Sequence, residues 1–413
     1  MSGQAPPGLA DLASLADPAV IADPYPLLAR LREASPFAEL DGALVVFGRY
    51  EECSRILRDP RASSERARSR LVPPELQAQA QERTRSFLSL DPPDHTRLRR
   101  LVAKAFTPRV VATLAPRITR VTNDLLAAAQ ASGDHQLELV SQLAYPLPVR
   151  IISELLGVPP EDHARFAGWS AKLAHSVQPS FGALDAAELA EAERAGVEFG
   201  EYFTELIRAR RSRPGDDLLT KLIRAEDAGE RLTVDELIAT CVLLLVAGHE
   251  TTVGLIANAM LALLRNPGQL AALAAEPRLA ADAVQETLRY DPPVQLTGRV
   301  ARGGMTVGPV EPPDGAVLLL LLAATGRDPA VFARPDTFEI TRGAREHLAF
   351  AAGPHFCLGA PLARLEARIA LEAIAQRVAG PRLDEPSLAY KPNFNLRGPQ
   401  RMVVIFDEIL PCT

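Results

Sequence analysis

The chain is poor in cysteine, with four residues, at positions 53, 241, 357 and 412, that follow no framework spacing. A disulfide scaffold is not expected, which suits a reducing cytoplasm. No basic stretch followed by an apolar one opens the sequence, so no signal peptide is expected. The longest apolar runs, near Leu237–Ala247 and Ala316–Ala324, fall short of a bilayer's width. A soluble, cytoplasmic protein is therefore expected. No Gly/Ser-rich or charge-rich linker and no internal repeat divides the 413 residues, which favours one domain over 1–413. A net charge of -6 and the lack of any nucleic-acid motif argue against nucleic acid as a partner.

What is present is ordinary globular composition, 47% hydrophobic and 23% charged, with ample material for a large core. Helical patterns cover Tyr50–Arg58, Thr96–Phe106, Pro108–Ala131, Val149–Leu156 and Glu188–Arg211. Strand-like segments are short and dispersed, at Ala43–Phe47, Met305–Val307, Ala316–Leu322 and Met402–Phe406. This pattern favours a mainly α, helix-dominated α+β arrangement over a doubly wound sheet. Arg61 to Leu90, polar and weakly periodic, reads as a loop region, and Val177–Asp185 as a second.

Phe350 to Gly359 reads Phe-Ala-Ala-Gly-Pro-His-Phe-Cys-Leu-Gly, a glycine-punctuated loop carrying Cys357. The stretch Ala360 to Arg377 that follows reads as a helix. Its unpaired first-turn amides and positive dipole end favour an anion and are expected to lower the thiol's pKa. A lone cysteine is more often a small buried apolar residue; here its fixed Phe, Gly, His and Gly neighbours favour a metal ligand.

Thr233-Val-Asp-Glu236 is a capping box, and Asn266-Pro267-Gly268 is a stop, so one helix should run to about Arg265. At 1.5 Å per residue it would be roughly 48 Å long. Leu237 to Ala247 is apolar nearly all round, the mark of a buried helix. In its middle lies Ala247-Gly248-His249-Glu250-Thr251-Thr252. Gly248, together with a Thr251 hydroxyl bonded back to Ala247, can open a groove for a diatomic ligand, and Glu250 beside it can carry protons. A kinked core helix with paired polar residues is the competing reading.

Glu286 and Arg289 share a helical face, as do His95 and Arg99. Alone, each is read as a surface charge worth little.

Taken together, the cysteine loop resembles the haem-ligand loop of the cytochrome P-450 family, Phe-Gly-x-Gly-x-His-x-Cys-x-Gly, with Ala351 in place of the first glycine. Ala247 to Thr251 resembles that family's oxygen-binding turn, Ala-Gly-x-Glu/Asp-Thr, and Glu286-Thr-Leu-Arg289 its Glu-x-x-Arg motif. The family often completes that motif with an arginine at the position held here by Thr337, and Arg342 is the candidate replacement. A further departure is Gly326 before Arg327, where soluble bacterial relatives usually have Asn. The resemblance runs from Asp23-Pro-Tyr-Pro26 to Arg397-Gly398.

The resemblance implies a helix-rich prism with a long central helix and small sheets. It implies haem b (iron protoporphyrin IX) bound through Cys357, with Phe350 and Gly248 beside it and propionates held by His95, Arg99, Arg299 and His355. Thr251 and Glu250 would deliver protons for O–O cleavage, whereas His249 and Thr252 are given no role. The implied reaction is hydroxylation, or other oxidation, of a small apolar organic substrate with O2. Electrons would reach a monomeric enzyme from a ferredoxin-type donor and its reductase, and so indirectly from NAD(P)H. The basic cluster Arg97, Arg99, Arg100, Lys104 and Arg109 is the expected docking surface for that donor. Family position places Phe87, Leu88, Leu243, Leu244, Ala247, Val294, Gln295 and Phe394 in the substrate pocket. The alternative is a haem-thiolate sensor, which would need Cys357 but neither Glu250, Thr251 nor a substrate cavity.

Overall fold

A computed structural model describes residues 7–82, 85–177, 186–227, 229–343 and 345–411. Thr233 and Glu236 cap each other: the Glu236 amide donates to Thr233 Oγ1 at 3.2 Å and the Thr233 amide to Glu236 Oε2 at 2.9 Å. From that cap a helix runs unbroken over Val234–Arg265, and Asn266 ends it. By length and hydropathy this helix matches a membrane span. Its apolar side chains are instead packed against the helices Pro146–Leu155, His163–Val177, Ala280–Tyr290 and Ala360–Arg377. The main core therefore surrounds one helix rather than lying between layers.

Beside the helices lies a five-stranded sheet of β1 (Phe37–Glu39), β2 (Leu44–Phe47), β3 (Ala62–Ser63), β4 (Thr297–Ala301) and β5 (Val317–Leu320). The spatial order is β1-β2-β5-β4-β3; β2 and β5 run parallel and the other pairs antiparallel. β2 is buried along its whole length, as an interior strand packed on both faces must be. A strand at Val403–Ile405 pairs with Arg382–Leu383 and with Gln136–Glu138.

Several boundaries differ from the sequence reading. Pro108–Ala131 is two helices, Pro108–Ala112 and Ala115–Ala131, because Pro116 suits the first turn of a new helix and not the interior of an old one. Met305–Val307 is not a strand: Val307 pairs only with Val310 across a turn with Gly308 in the left-handed region. Within 61–90 lies a helix, Pro74–Glu82, flanked by two short 3-10 turns, so this stretch is not one open loop. Past Val177, the second expected loop lies outside the described residues.

Glu286 and Arg289 form a fully buried bidentate pair, at 2.7 and 2.9 Å. Arg289 also donates to the carbonyls of Gly326, Pro335 and Thr337. The third partner is Arg342, whose Nε reaches Glu286 Oε1 at 3.1 Å while its other nitrogens bind the Ala333, Arg334 and Thr337 carbonyls. Thr337 thus contributes its backbone where the family often contributes a side chain. Removing one member of such a pair strands a buried charge. Arg289→Met should therefore cost about 3–5 kcal/mol in urea unfolding, and a loss below 1 kcal/mol would contradict this account.

Candidate active site

The cysteine loop and the central helix face each other across a cavity of about 1300 Å³, part of it open to solvent. Two backbone features shape the loop wall. Gly353 has φ +68°, and a Cβ there would sit 2.3 Å from the Leu57 carbonyl oxygen, so only glycine lets the loop lie against the helix Tyr50–Arg58. Ala351 has φ 57°, a left-handed conformation that a side-chained residue resists. The Cys357 amide donates to the Phe350 carbonyl at 3.0 Å and closes the loop before the helix Ala360–Arg377 begins.

Burial raises the Cys357 thiol's pKa. The Gly359 amide, Arg99, the Ala360 amide and Arg364 all pull it down, as a helix N-terminus should, but burial outweighs them. The expected net lowering is thus corrected for the protein chain alone.

On the opposite wall, Thr251 Oγ1 donates to the Ala247 carbonyl at 2.8 Å and Thr252 Oγ1 to that of Gly248 at 2.9 Å. Nothing stands within 4 Å of where a Gly248 Cβ would be, which leaves the helix open to the cavity there. Leu243, Leu244, Ala247, Gly248 and Thr251 all line it, as do Phe87, Leu88 and Val294.

Arg99 and His355 line the cavity, and His95 and Arg299 lie close to His355. His95 is buried with both ring nitrogens lacking a hydrogen-bond partner, and its ring lies 4.0 Å, centroid to centroid, from that of His355. Burial and neighbouring cations lower the pKa of His355 to about 3. Arg299 lies on β4 with 7% exposure, and among the described residues its guanidinium donates only to Thr297 Oγ1 and the Gly298 carbonyl. Burial, reinforced by Arg66, lowers its pKa to about 10. Arg99 donates to the Phe356 carbonyl. Among the described residues none of these four is ion-paired with a carboxylate. Buried cations without counter-charge are costly. A ligand with two carboxylates at its edge and a metal that takes a thiolate fits this arrangement, and haem is such a ligand.

Three sequence-derived candidates lie elsewhere. Gln295 and Phe394 line a small separate cavity with Leu15, Ile21, Pro24 and Leu28, not the large one. Pro293 and Val294 face the large cavity, whereas Gln295 and Leu296 turn away to the small one, the Gln295 side-chain amide donating to the Pro292 carbonyl. Glu250 is absent from the large cavity's wall as well. Its carboxylate is engaged by Lys391 Nζ and lies 3.3 Å from His249 Nε2. Burial would raise its pKa, but the His249 hydrogen bond and the Lys391 ammonium overcome that and hold it at about 2. The sequence reading missed Thr297, Ile152 and Leu255 as cavity residues. Leu255 was findable, one helical turn after Thr251.

Fold and cavity together define the architecture of a haem-thiolate protein. A family model for cytochrome P450 matches residues 42–379. The cytochrome P450 monooxygenase PikC of Streptomyces venezuelae is 42% identical over 95% of this chain and 93% of its own length. The ligand-free structure of Mycobacterium smegmatis CYP164A2 superposes with a TM-score of 0.88 at 47% identity, covering 96% of this chain and 99% of that one. A structure of P450BioI in complex with hexadec-9Z-enoic acid ligated acyl carrier protein superposes with a TM-score of 0.85 at 35% identity, covering 94% and 99%. The chain belongs to the cytochrome P450 family, oxidoreductases whose cofactor is haem and whose activity is monooxygenation.

The left-handed Ala351 yields a test. Ala351→Gly should remove backbone strain and stabilise the protein by about 1 kcal/mol, read as a higher thermal midpoint. A lowered midpoint would show that the conformation is not strained.

Proposed function

We propose that this protein oxidises a mostly apolar small molecule with O2, using haem b ligated by Cys357. The observation that carries this reading is that Cys357 and Thr251 face one apolar cavity lined also by Arg99 and His355, with His95 and Arg299 close to His355 and none of the four ion-paired with a carboxylate among the described residues. His95, Arg99, Arg299 and His355 would bind the two propionates, and Phe350 would pack beside the ring. Bound there, haem supplies the iron at which oxygen is activated, and thiolate ligation favours O–O cleavage. The protein's own residues bind, orient and control protons. Thr251 Oγ1, which donates to the Ala247 carbonyl on the cavity wall, would be the hydroxyl that handles protons there. Glu250 is the acid that exchanges protons with solvent.

Phe87, Leu88, Ile152, Leu243, Leu244 and Val294 form the apolar walls that receive substrate. The fatty acyl chain in the P450BioI structure supports an elongated apolar occupant. A sensor needs no such cavity, so the cavity favours the oxygenase reading.

Electrons enter from a ferredoxin-type donor and its reductase, fed by NAD(P)H. Phe356, beside Cys357, is 40% exposed, and Arg100, Lys104 and Arg109 are exposed. Arg97 is spent on Glu236 and Glu230, and Arg99 lines the cavity, so they add little to this surface. The enzyme works in the cytoplasm as a monomer, where Cys53 and Cys241 stay reduced.

Two measurements test this. The reduced CO complex should show the far-red Soret band of thiolate ligation, lost in Cys357→His, while Thr251→Ala should keep substrate binding yet divert electrons to peroxide. Full coupling in Thr251→Ala would overturn the role given to that hydroxyl. Separately, Arg100→Glu should slow reduction by an acidic ferredoxin about tenfold and leave dithionite reduction unchanged. An unaltered ferredoxin rate would place the donor elsewhere.

A further inference from the structure

Among the described residues, no Asp, Glu, Lys, Asn, Gln, Ser, Tyr or Trp lines the large cavity. Its polar side chains are Arg99, Thr251, Thr252, Thr297, His355 and Cys357. All but one are already engaged. Cys357, Arg99 and His355 are assigned above to the haem, and the Thr251 and Thr252 hydroxyls donate to the Ala247 and Gly248 carbonyls at 2.8 and 2.9 Å. Thr297 remains.

Thr297 is the first residue of β4, where side chains alternate between faces, so it shares a face with Arg299. Arg299 Nη1 donates to Thr297 Oγ1 at 3.3 Å. A threonine hydroxyl has one hydrogen to donate and two lone pairs that accept. Oγ1 is thus used as an acceptor, while its own hydrogen meets no acceptor among the described residues. A cation donating to a hydroxyl oxygen polarises it and makes its hydrogen a stronger donor. The β-branched side chain has few rotamers, and pairing of Thr297 with Leu320 fixes its backbone, so this donor is held in place. Pro293 and Val294 before it in the chain, and Leu243, Leu244 and Ala247 on the central helix, present only apolar side chains to the cavity.

We propose that Thr297 is the polar anchor for substrate, donating a hydrogen bond to an uncharged acceptor oxygen, and that the substrate class is a neutral apolar molecule with a ketone, lactone or ester carbonyl. The inference rests on the haem-dependent oxygenation given above, because the haem claims Arg99, His355 and Cys357. Charge on the substrate is disfavoured for the same reason. An ammonium finds no carboxylate in this lining, and a carboxylate would compete with the propionates for the same cations. One fixed donor in an otherwise apolar cavity sets orientation. The substrate carbon that comes to lie over the Cys357 wall is therefore decided by its distance from the anchored oxygen, and oxidation is regioselective relative to that oxygen.

The test uses the haem-loaded ferric protein and two probes of similar shape, 4-phenylcyclohexanone and phenylcyclohexane, titrated by the Soret shift. Thr297→Val should weaken the ketone about five- to tenfold and change the hydrocarbon by less than about twofold. Thr297→Ser should restore the ketone. With a surrogate electron donor, the ketone should give mainly one regioisomer in the unsubstituted protein and a mixture in Thr297→Val. The charged probe 4-cyclohexylbenzoate should give no shift at concentrations where the ketone saturates. Equal losses for both probes would assign Thr297 to packing, and an unchanged ketone affinity with a shifted reduction potential would assign its hydroxyl to a propionate. Either result overturns the proposal, as does a benzoate shift matching that of the ketone. Should Thr297→Val fail to hold haem, Thr297→Ala is titrated with the same two probes. The reduced CO band separates this proposal from the wider reading. Its absence in the unsubstituted protein sinks haem-thiolate oxygenation, whereas its presence with unchanged probe selectivity in Thr297→Val sinks the anchor alone.

Discussion

A helix that is apolar nearly all round can be satisfied only inside the protein, and the arrangement of the other parts follows from placing the helix Val234–Arg265 there. Burial on every side gives each of its faces a different neighbour. One face looks through Gly248 and Thr251 into the cavity. Another, through Glu250, Gly254 and Asn258, carries the C-terminal hairpin of Ala389–Tyr390 and Pro399–Arg401. The rest packs against the surrounding helices. The chemistry of the site is thus divided by rotation about a single axis, and adjacent residues on it serve different compartments.

The second constraint is electrostatic. Charges are buried in two ways here. Around Glu286 the charges are matched within the chain, with two guanidiniums and backbone groups closing one carboxylate's requirements. By the cavity, Arg99, Arg299, His95 and His355 cluster and, among the described residues, none of them is ion-paired with a carboxylate. The first arrangement is self-sufficient and holds the scaffold. The second would be matched by a ligand that brings its own negative charge, and under the proposed role of these residues cofactor binding would stabilise this region.

Local motifs were legible in the sequence because local geometry enforces them. The Thr233–Glu236 cap, the stop at Asn266 and the cysteine loop all depend on residues within a few positions of one another, and the structure has them where the sequence puts them. The replacement of the missing arginine by Arg342 was also within reach, since Glu286 needs a further cation and Arg342 lies five residues past the usual place. What could not be read was the direction of side chains decided by distant partners. Glu250 lies beside Thr251 in sequence, yet its orientation is set by a lysine 141 residues away. Gln295 was placed in the pocket by position, but its side chain is turned out and bonded to the Pro292 carbonyl. The split at Pro116 was visible in the sequence, but the helical periodicity on either side obscured it.

The contact of Gly353 with the Leu57 carbonyl bears on the order in which the protein is made. The cysteine loop is braced by a helix near the start of the chain, and β2 pairs in parallel with β5 from its last third. Neither bracing surface is complete while the chain is still emerging from the ribosome. The early segments must therefore wait, folded only locally, until the C-terminal quarter arrives. A nascent chain truncated before Phe350 lacks the cysteine-loop wall of the cavity.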